Sequence, residues 1–170
     1  LDISEGSINA EITIIEYASL GCSHCAAFYQ NSYSKIKEEY IDTGKVRFIY
    51  RHFPLDEPSL RAAQLVSCLP MESKKSMLKL LFSNQSNWAY KKDFPEKLEN
   101  LAKMSGMNAE IFHKCMANED LEQEILQLRM DVHEAYKLSS TPSFIINGQK
   151  YIGRNDFKSL SLYLDNLIKK

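Results

Sequence analysis

The chain has 170 residues, 44% of them hydrophobic and 25% charged, with 21 lysines and arginines against 22 aspartates and glutamates. That balance excludes a disordered segment, and a chain of this size buries roughly 70% of its unfolded surface, enough for one domain, or one domain with an insertion, without a metal or disulfide scaffold. The basic residues, among them Lys35, Lys37, Lys74, Lys75, Lys91 and Lys92, are scattered among acids and form no stripe that would track a phosphate backbone, which argues against nucleic acid as a partner.

The first element is the run Glu11-Ile-Thr-Ile-Ile-Glu-Tyr-Ala-Ser19, short, β-branched and apolar at nearly every position, which predicts a central strand covered on both faces. The apolar stretch from Ile12 to Leu20 is broken by Thr13, Glu16 and Ser19 and falls short of the roughly 18 residues that a spanning helix needs, so the expectation is a protein not integral to a membrane. The chain has no initiator methionine and no basic segment followed by an apolar one, so it is expected either to be cytosolic or to have lost a targeting segment before Leu1. Gly21 breaks the strand, and Cys25, Phe28, Tyr29, Ile36 and Tyr40 then recur at helical spacing up to Asp42-Thr-Gly44. A second strand over residues 45–51 is stopped by Pro54 and Pro58.

From residue 56 to residue 136 helix formers dominate, Gly106 is the one glycine, and short helical stripes follow one another, which predicts an all-helical insertion. Leu80, Leu81 and Phe82 belong to its expected core, and Trp88 is given no role. Its clearest helix, over residues 120–138, carries Leu121, Ile125, Leu128, Val132 and Ala135 as an expected core seam. Strand character returns at residues 143–146, an Asn147-Gly148 pair predicts a tight turn, and residues 150–152 complete a hairpin. A last helix, capped by Asn155 or Asp156, turns Phe157, Leu160, Tyr163 or Leu164, and Leu167 inward. The pattern predicts an α/β fold: a mixed sheet built from residues 1–55 and 137–170, with the helical insertion at 56–136.

The chemistry gathers at Gly21-Cys22-Ser23-His24-Cys25, where a strand hands over to a helix. Cys22 then stands at the helix N-terminus, where free backbone N–H groups and the dipole lower the pKa of a thiol and stabilise it as a leaving group in thiol–disulfide exchange. Cys25, one turn on along the apolar face, is expected to be buried and to resolve mixed disulfides, and the His24 ring is expected to donate a hydrogen bond to the Cys22 sulfur. A metal site is the alternative, with Cys22 and Cys25 joined by His24, Cys68 or Cys115, but the strand-to-helix setting favours redox chemistry over zinc. His52, His113 and His133 carry no ligand spacing and are expected to be ordinary surface or core histidines.

Three segments, Ile15-Glu-Tyr-Ala-Ser-Leu-Gly-Cys-Ser-His-Cys25, Arg51-His-Phe-Pro-Leu55 and Ser140-Thr-Pro-Ser-Phe-Ile-Ile-Asn-Gly148, resemble the thioredoxin-fold thiol oxidoreductases of the DsbA type, and the resemblance covers the whole chain. It implies a monomeric, periplasmic, exported enzyme whose signal peptide has been removed. Such an enzyme donates the Cys22–Cys25 disulfide to folding exported proteins, uses no cofactor beyond that disulfide, and is reoxidised by a membrane quinone reductase of the DsbB type. By the same resemblance Thr141-Pro142 is the loop with a cis peptide bond, offering backbone groups to an extended substrate beside Cys22. Glu16 matches the buried acid beneath the disulfide, with a raised pKa and the ability to take the proton from Cys25; the alternative is a solvent-facing acid. The motif reads Ser-His where the best-known members have Pro-His, and Thr141 stands where many oxidases have valine. A disulfide isomerase or reductase using the same pair is the runner-up. Cys68 and Cys115 both fall on apolar helix faces of the insertion, and two readings stay open for them: a structural disulfide or two buried free thiols.

Overall fold

The computed structural model describes residues 1–169. Its strands are β1 (Ile3–Glu5), β2 (Ile12–Ala18), β3 (Val46–His52), β4 (Ser143–Ile146) and β5 (Gln149–Lys150), lying side by side in the order β1-β3-β2-β4-β5. The β-branched run around Glu16 is thus the middle strand, parallel to β3 and antiparallel to β4, with Glu16 opposite Tyr50 on one side and Phe144 on the other. Strand β1 is an addition to the sequence reading: Ile3-Ser4-Glu5 is too short for alternation to register, and it pairs antiparallel with β3. Asn147 and Gly148 take φ values of 48° and 80°, the left-handed pair that an Asn-Gly hairpin turn requires. The return strand is shorter than residues 150–152, because after Lys150 the Tyr151 hydroxyl bonds to the Arg154 carbonyl and the chain curls away, leaving Ile152 90% exposed.

The helix after β2 begins as α1 (Ser23–Phe28) and passes through wider π turns before and after α2 (Ser34–Ile36), giving one helical run over residues 23–41. Between β3 and β4 come α3 (Glu57–Ser67), α4 (Met71–Ser83), α5 (Gln85–Trp88), α6 (Phe94–Met104), α7 (Ala109–Met116) and α8 (Glu119–Tyr136), and α9 (Phe157–Ile168) closes the fold. Asp56, Asn108, Asn118 and Asp156 each accept a backbone N–H three residues on, and so define where α3, α7, α8 and α9 start.

The sheet's two faces are covered differently. Ile14, Glu16 and Ala18 share a face with Phe48, Tyr50 and His52. On part of it Ile3, Ala18, Leu20 and Tyr50 join Leu65, Leu81, Phe82, Trp88 and Leu98 in one apolar cluster, so the insertion shares its core with the sheet. Trp88 is fully buried in that cluster, its indole N–H donating to the Leu81 carbonyl at 2.9 Å. On the rest of the face Ile12, Phe28 and Phe144 pack against Leu160 and Leu164 of α9. The opposite face, with Tyr17 and Ile145, meets Val132 of α8 and the adjoining Phe53 and Leu138. The expected seam of α8 is therefore only partly core: Ile125 and Val132 are buried and Leu121 half-buried, but Leu128 is 47% exposed and Ala135 is exposed as well. Helical spacing identifies a face, and one helix lying across a sheet covers only a narrow stripe of it.

Candidate active site

Strand β2 ends at Ala18, and Ser19-Leu20-Gly21 turns the chain into α1, with Cys22 as its N-cap at φ −80° and ψ 122°. The Cys22 N–H donates back to Ser19 at 3.0 Å, and the Cys22 carbonyl accepts the first helical N–H, from Ala26, at 3.1 Å. Gly21 donates its N–H to Ser59 Oγ of α3 at 3.0 Å, and a Cβ on Gly21 would lie 2.5 Å from that oxygen, so the close approach of α3 requires glycine. Cys22 comes out half-buried and Cys25 fully buried, as helical spacing predicts.

The two sulfurs have opposite electrostatics. The hydrogen bond from the Cys25 thiol, helped by Thr141 and by the backbone N–H groups of Cys25 and His24, outweighs burial and holds Cys22 at about 5. Cys25 is pushed far above the ordinary thiol range, by burial first and then by its donation to Cys22 and the charge of Glu16. In thiol form Cys22 donates to the Thr141 carbonyl at 3.4 Å. The His24 ring does not act as expected. It is exposed and makes no hydrogen bond to Cys22 among the described residues, and it is the backbone N–H of His24 that favours the thiolate.

Glu16 is 1% exposed, and burial, reinforced by the charge of Cys22, raises it to about 8. It lines a cavity of about 480 Å³ together with Tyr29, Tyr33 and Tyr50, whose rim carries Glu5, Lys37 and Lys75. Among the described residues no cation compensates it and the buried Tyr50 hydroxyl has no partner: Arg51 points to the other face, donating to Asp2 at 2.7 and 2.8 Å and to the Tyr17 hydroxyl at 2.9 Å. Thr141–Pro142 is a cis peptide bond, and the Thr141 carbonyl lies beside Cys22. The structure thus brings Glu16, Cys22, Cys25, Thr141 and Pro142 together.

Cys68 and Cys115 are bonded to each other across 47 residues, with Cα atoms 6.1 Å apart. This decides between the two readings left open for them and removes both from any set of zinc ligands. Sequence reasoning missed Ser59, Gln85 and Tyr90, all of which bond to the turn carrying Cys22. They lie 38 to 69 residues from their partners, and no local pattern announces them.

The thioredoxin family pattern, described as Thioredoxin, matches residues 2–166. The crystal structure of Wolbachia pipientis alpha-DsbA1 is 33% identical, with a TM-score of 0.89 over 98% of this chain and 90% of that one. The chain belongs to the DsbA-type thioredoxin family. Oxidised BdbD from Bacillus subtilis, at 20% identity and a TM-score of 0.87 over 99% of this chain and 94% of that one, shares the fold of this DsbA-type chain. A Rickettsia felis protein carrying a protein-disulfide oxidoreductase name is 27% identical over 170 residues, which are 99% of this chain but 61% of that protein. Among the described residues, no helix of the DsbA-type chain is long and apolar enough to cross a membrane.

Proposed function

We propose that this thiol–disulfide oxidoreductase works mainly as a donor of disulfides to exported proteins while they fold. The observation that carries the reading is the opposite treatment of the two sulfurs: Cys22 held at about 5 and Cys25 pushed far up by burial. A stabilised Cys22 thiolate favours the reduced form of the pair and makes the oxidised form a stronger oxidant.

In the donating direction a client thiolate attacks Cys22 Sγ, the Cys22–Cys25 bond breaks, and the electron pair leaves on Cys25. Glu16, raised to about 8 and so protonated at neutral pH, supplies the proton that the buried Cys25 thiolate needs, and the adjoining cavity gives it a route to water. The client's second thiolate then attacks the mixed disulfide and releases Cys22 as its stable thiolate. Thr141 and Pro142 supply backbone beside Cys22 for an extended client, and no cofactor beyond the disulfide takes part. A periplasmic location, a monomeric state and reoxidation by a membrane quinone reductase of the DsbB type complete the proposal.

The test is the reduction potential of the Cys22–Cys25 couple in glutathione buffers, with Cys68 and Cys115 followed separately by peptide mapping. A value near the reference DsbA figure of about −120 mV supports donation, and one near the thioredoxin figure of about −270 mV overturns it in favour of a reductase.

A further inference from the structure

The turn that carries the nucleophile is held, atom by atom, from the helical insertion. Gln85, the first residue of α5, donates from Nε2 to the Leu20 carbonyl at 2.7 Å and to the Cys22 carbonyl at 2.9 Å. The Tyr90 hydroxyl lies 2.9 Å from the Gly21 carbonyl and 3.2 Å from Gln85 Oε1, and donates into that pair of oxygens. With Ser59 accepting the Gly21 N–H, three successive carbonyls and the amide among them are fixed by residues 59, 85 and 90.

Gln85 is 6% exposed and its bond to the Leu20 carbonyl is buried, so losing that donor leaves the Leu20 carbonyl uncompensated, while the Cys22 carbonyl keeps only its helical bond from Ala26. Tyr90 is 60% exposed, an aromatic ring at the surface with its hydroxyl bonded to the turn. The carbonyl oxygens of Leu20, Gly21 and Cys22 carry negative partial charge in the turn that ends at the sulfur, and they oppose an anion forming there. Donors placed on them remove that opposition, and they also fix the first helical turn, whose N–H groups face the Cys22 sulfur.

We infer that Gln85, assisted by Tyr90, is a positioning residue for Cys22, through which the helical insertion holds the active-site turn by its carbonyls and sets how readily the Cys22 sulfur leaves a disulfide. The step affected is the last one of donation. The client's second thiolate attacks its own sulfur in the mixed disulfide, the client disulfide forms, the bond to Cys22 breaks, and the electron pair stays on Cys22. The inference rests on the Cys22–Cys25 pair being a redox couple, but not on whether its net direction is oxidation or reduction.

Three variants test it: Gln85→Leu and Gln85→Met, which keep apolar volume without donors, and Tyr90→Phe, which removes one hydroxyl. Each is read by the thiolate titration of Cys22 from its ultraviolet absorbance, by equilibrium with glutathione, and by the thermal midpoint. Both Gln85 variants are expected to raise the Cys22 titration midpoint by about one unit. They should also make the couple about tenfold harder to reduce, which for two electrons is about 30 mV more negative. Tyr90→Phe should move both readings the same way by about threefold, or half a unit. If the thermal midpoint falls while titration and glutathione equilibrium stay at parent values, Gln85 is a packing residue and the inference is wrong. Should the Gln85 variants fail to fold, Tyr90→Phe decides alone, and an unchanged couple overturns the inference. A parent protein without a reversible couple would instead refute the redox reading itself.

Discussion

Cys22 and Cys25 stand three residues apart at the head of one helix, whereas Cys68 and Cys115 stand 47 residues apart on two helices and are bonded. The distant pair ties the C-terminal end of α3 to α7 beside the apolar residues Phe112 and Met116, and crosslinks the chain. The near pair joins unlike sulfurs: one half-buried among donors, the other fully buried and within the influence of the Glu16 charge. What each pair does follows from the surroundings of each sulfur, and sequence spacing is only how those surroundings are reached.

The sharpest way to break this comparison is to delete one sulfur at a time. Cys22→Ala should abolish thiol–disulfide exchange, whereas Cys25→Ala should leave an attacking Cys22 that accumulates mixed disulfides, visible by mass spectrometry. Equal behaviour of the two variants would erase the asymmetry. Removing the other pair as Cys68→Ala/Cys115→Ala should lower stability by up to about 4 kcal/mol on the chain-entropy account. That is about 10 °C in the thermal midpoint for a chain this long, with exchange at Cys22 retained. A variant of unchanged stability would show that the crosslink constrains little.

Glu16 gives a pH-dependent test. Its folded value of about 8 lies above the ordinary 4.5, so between those values the unfolded chain has already lost a proton that the folded chain keeps. Stability of the reduced protein therefore falls across that window as pH rises. Cys22, lowered from 9.0 to about 5, contributes the opposite slope between about pH 5 and pH 9. Glu16→Gln should stabilise the reduced protein at pH 7 by about 3 kcal/mol, leave the rising slope of Cys22 exposed in urea titrations, and slow exchange. The smallest effect is expected at Arg51→Ala, about 1 kcal/mol or less, because both side chains of its ion pair with Asp2 are partly exposed to water. The Glu16 titration should not move, and a shift there would mean that Arg51 reaches the buried acid after all.

Much of the site was legible in advance. A strand that breaks into a Cys-x-x-Cys helix places both sulfurs, Glu16 stands out as an acid in an apolar strand, and Asn147-Gly148 declares its turn. Pro142 is different: local sequence favours a trans bond, and the resemblance alone pointed to cis. Gln85 and Tyr90 could not be read at all, because an amide and a hydroxyl that cap carbonyls 63 to 69 residues away leave no periodic trace. The exposed Leu128 shows the same limit from the other side, since periodicity marks a stripe before anything says how wide its neighbour is.

The lengths of β1 and β5, three and two residues, carry a consequence for the clients proposed above. They form the margins of the sheet, and an unfolded chain adds itself to a sheet where a margin offers a long row of free backbone groups. Neither margin offers such a row. On the proposal above, extended polypeptide is left with the backbone beside Pro142, where the Thr141 carbonyl lies 3.4 Å from the Cys22 sulfur, so that strand addition and encounter with the reactive sulfur would be one event.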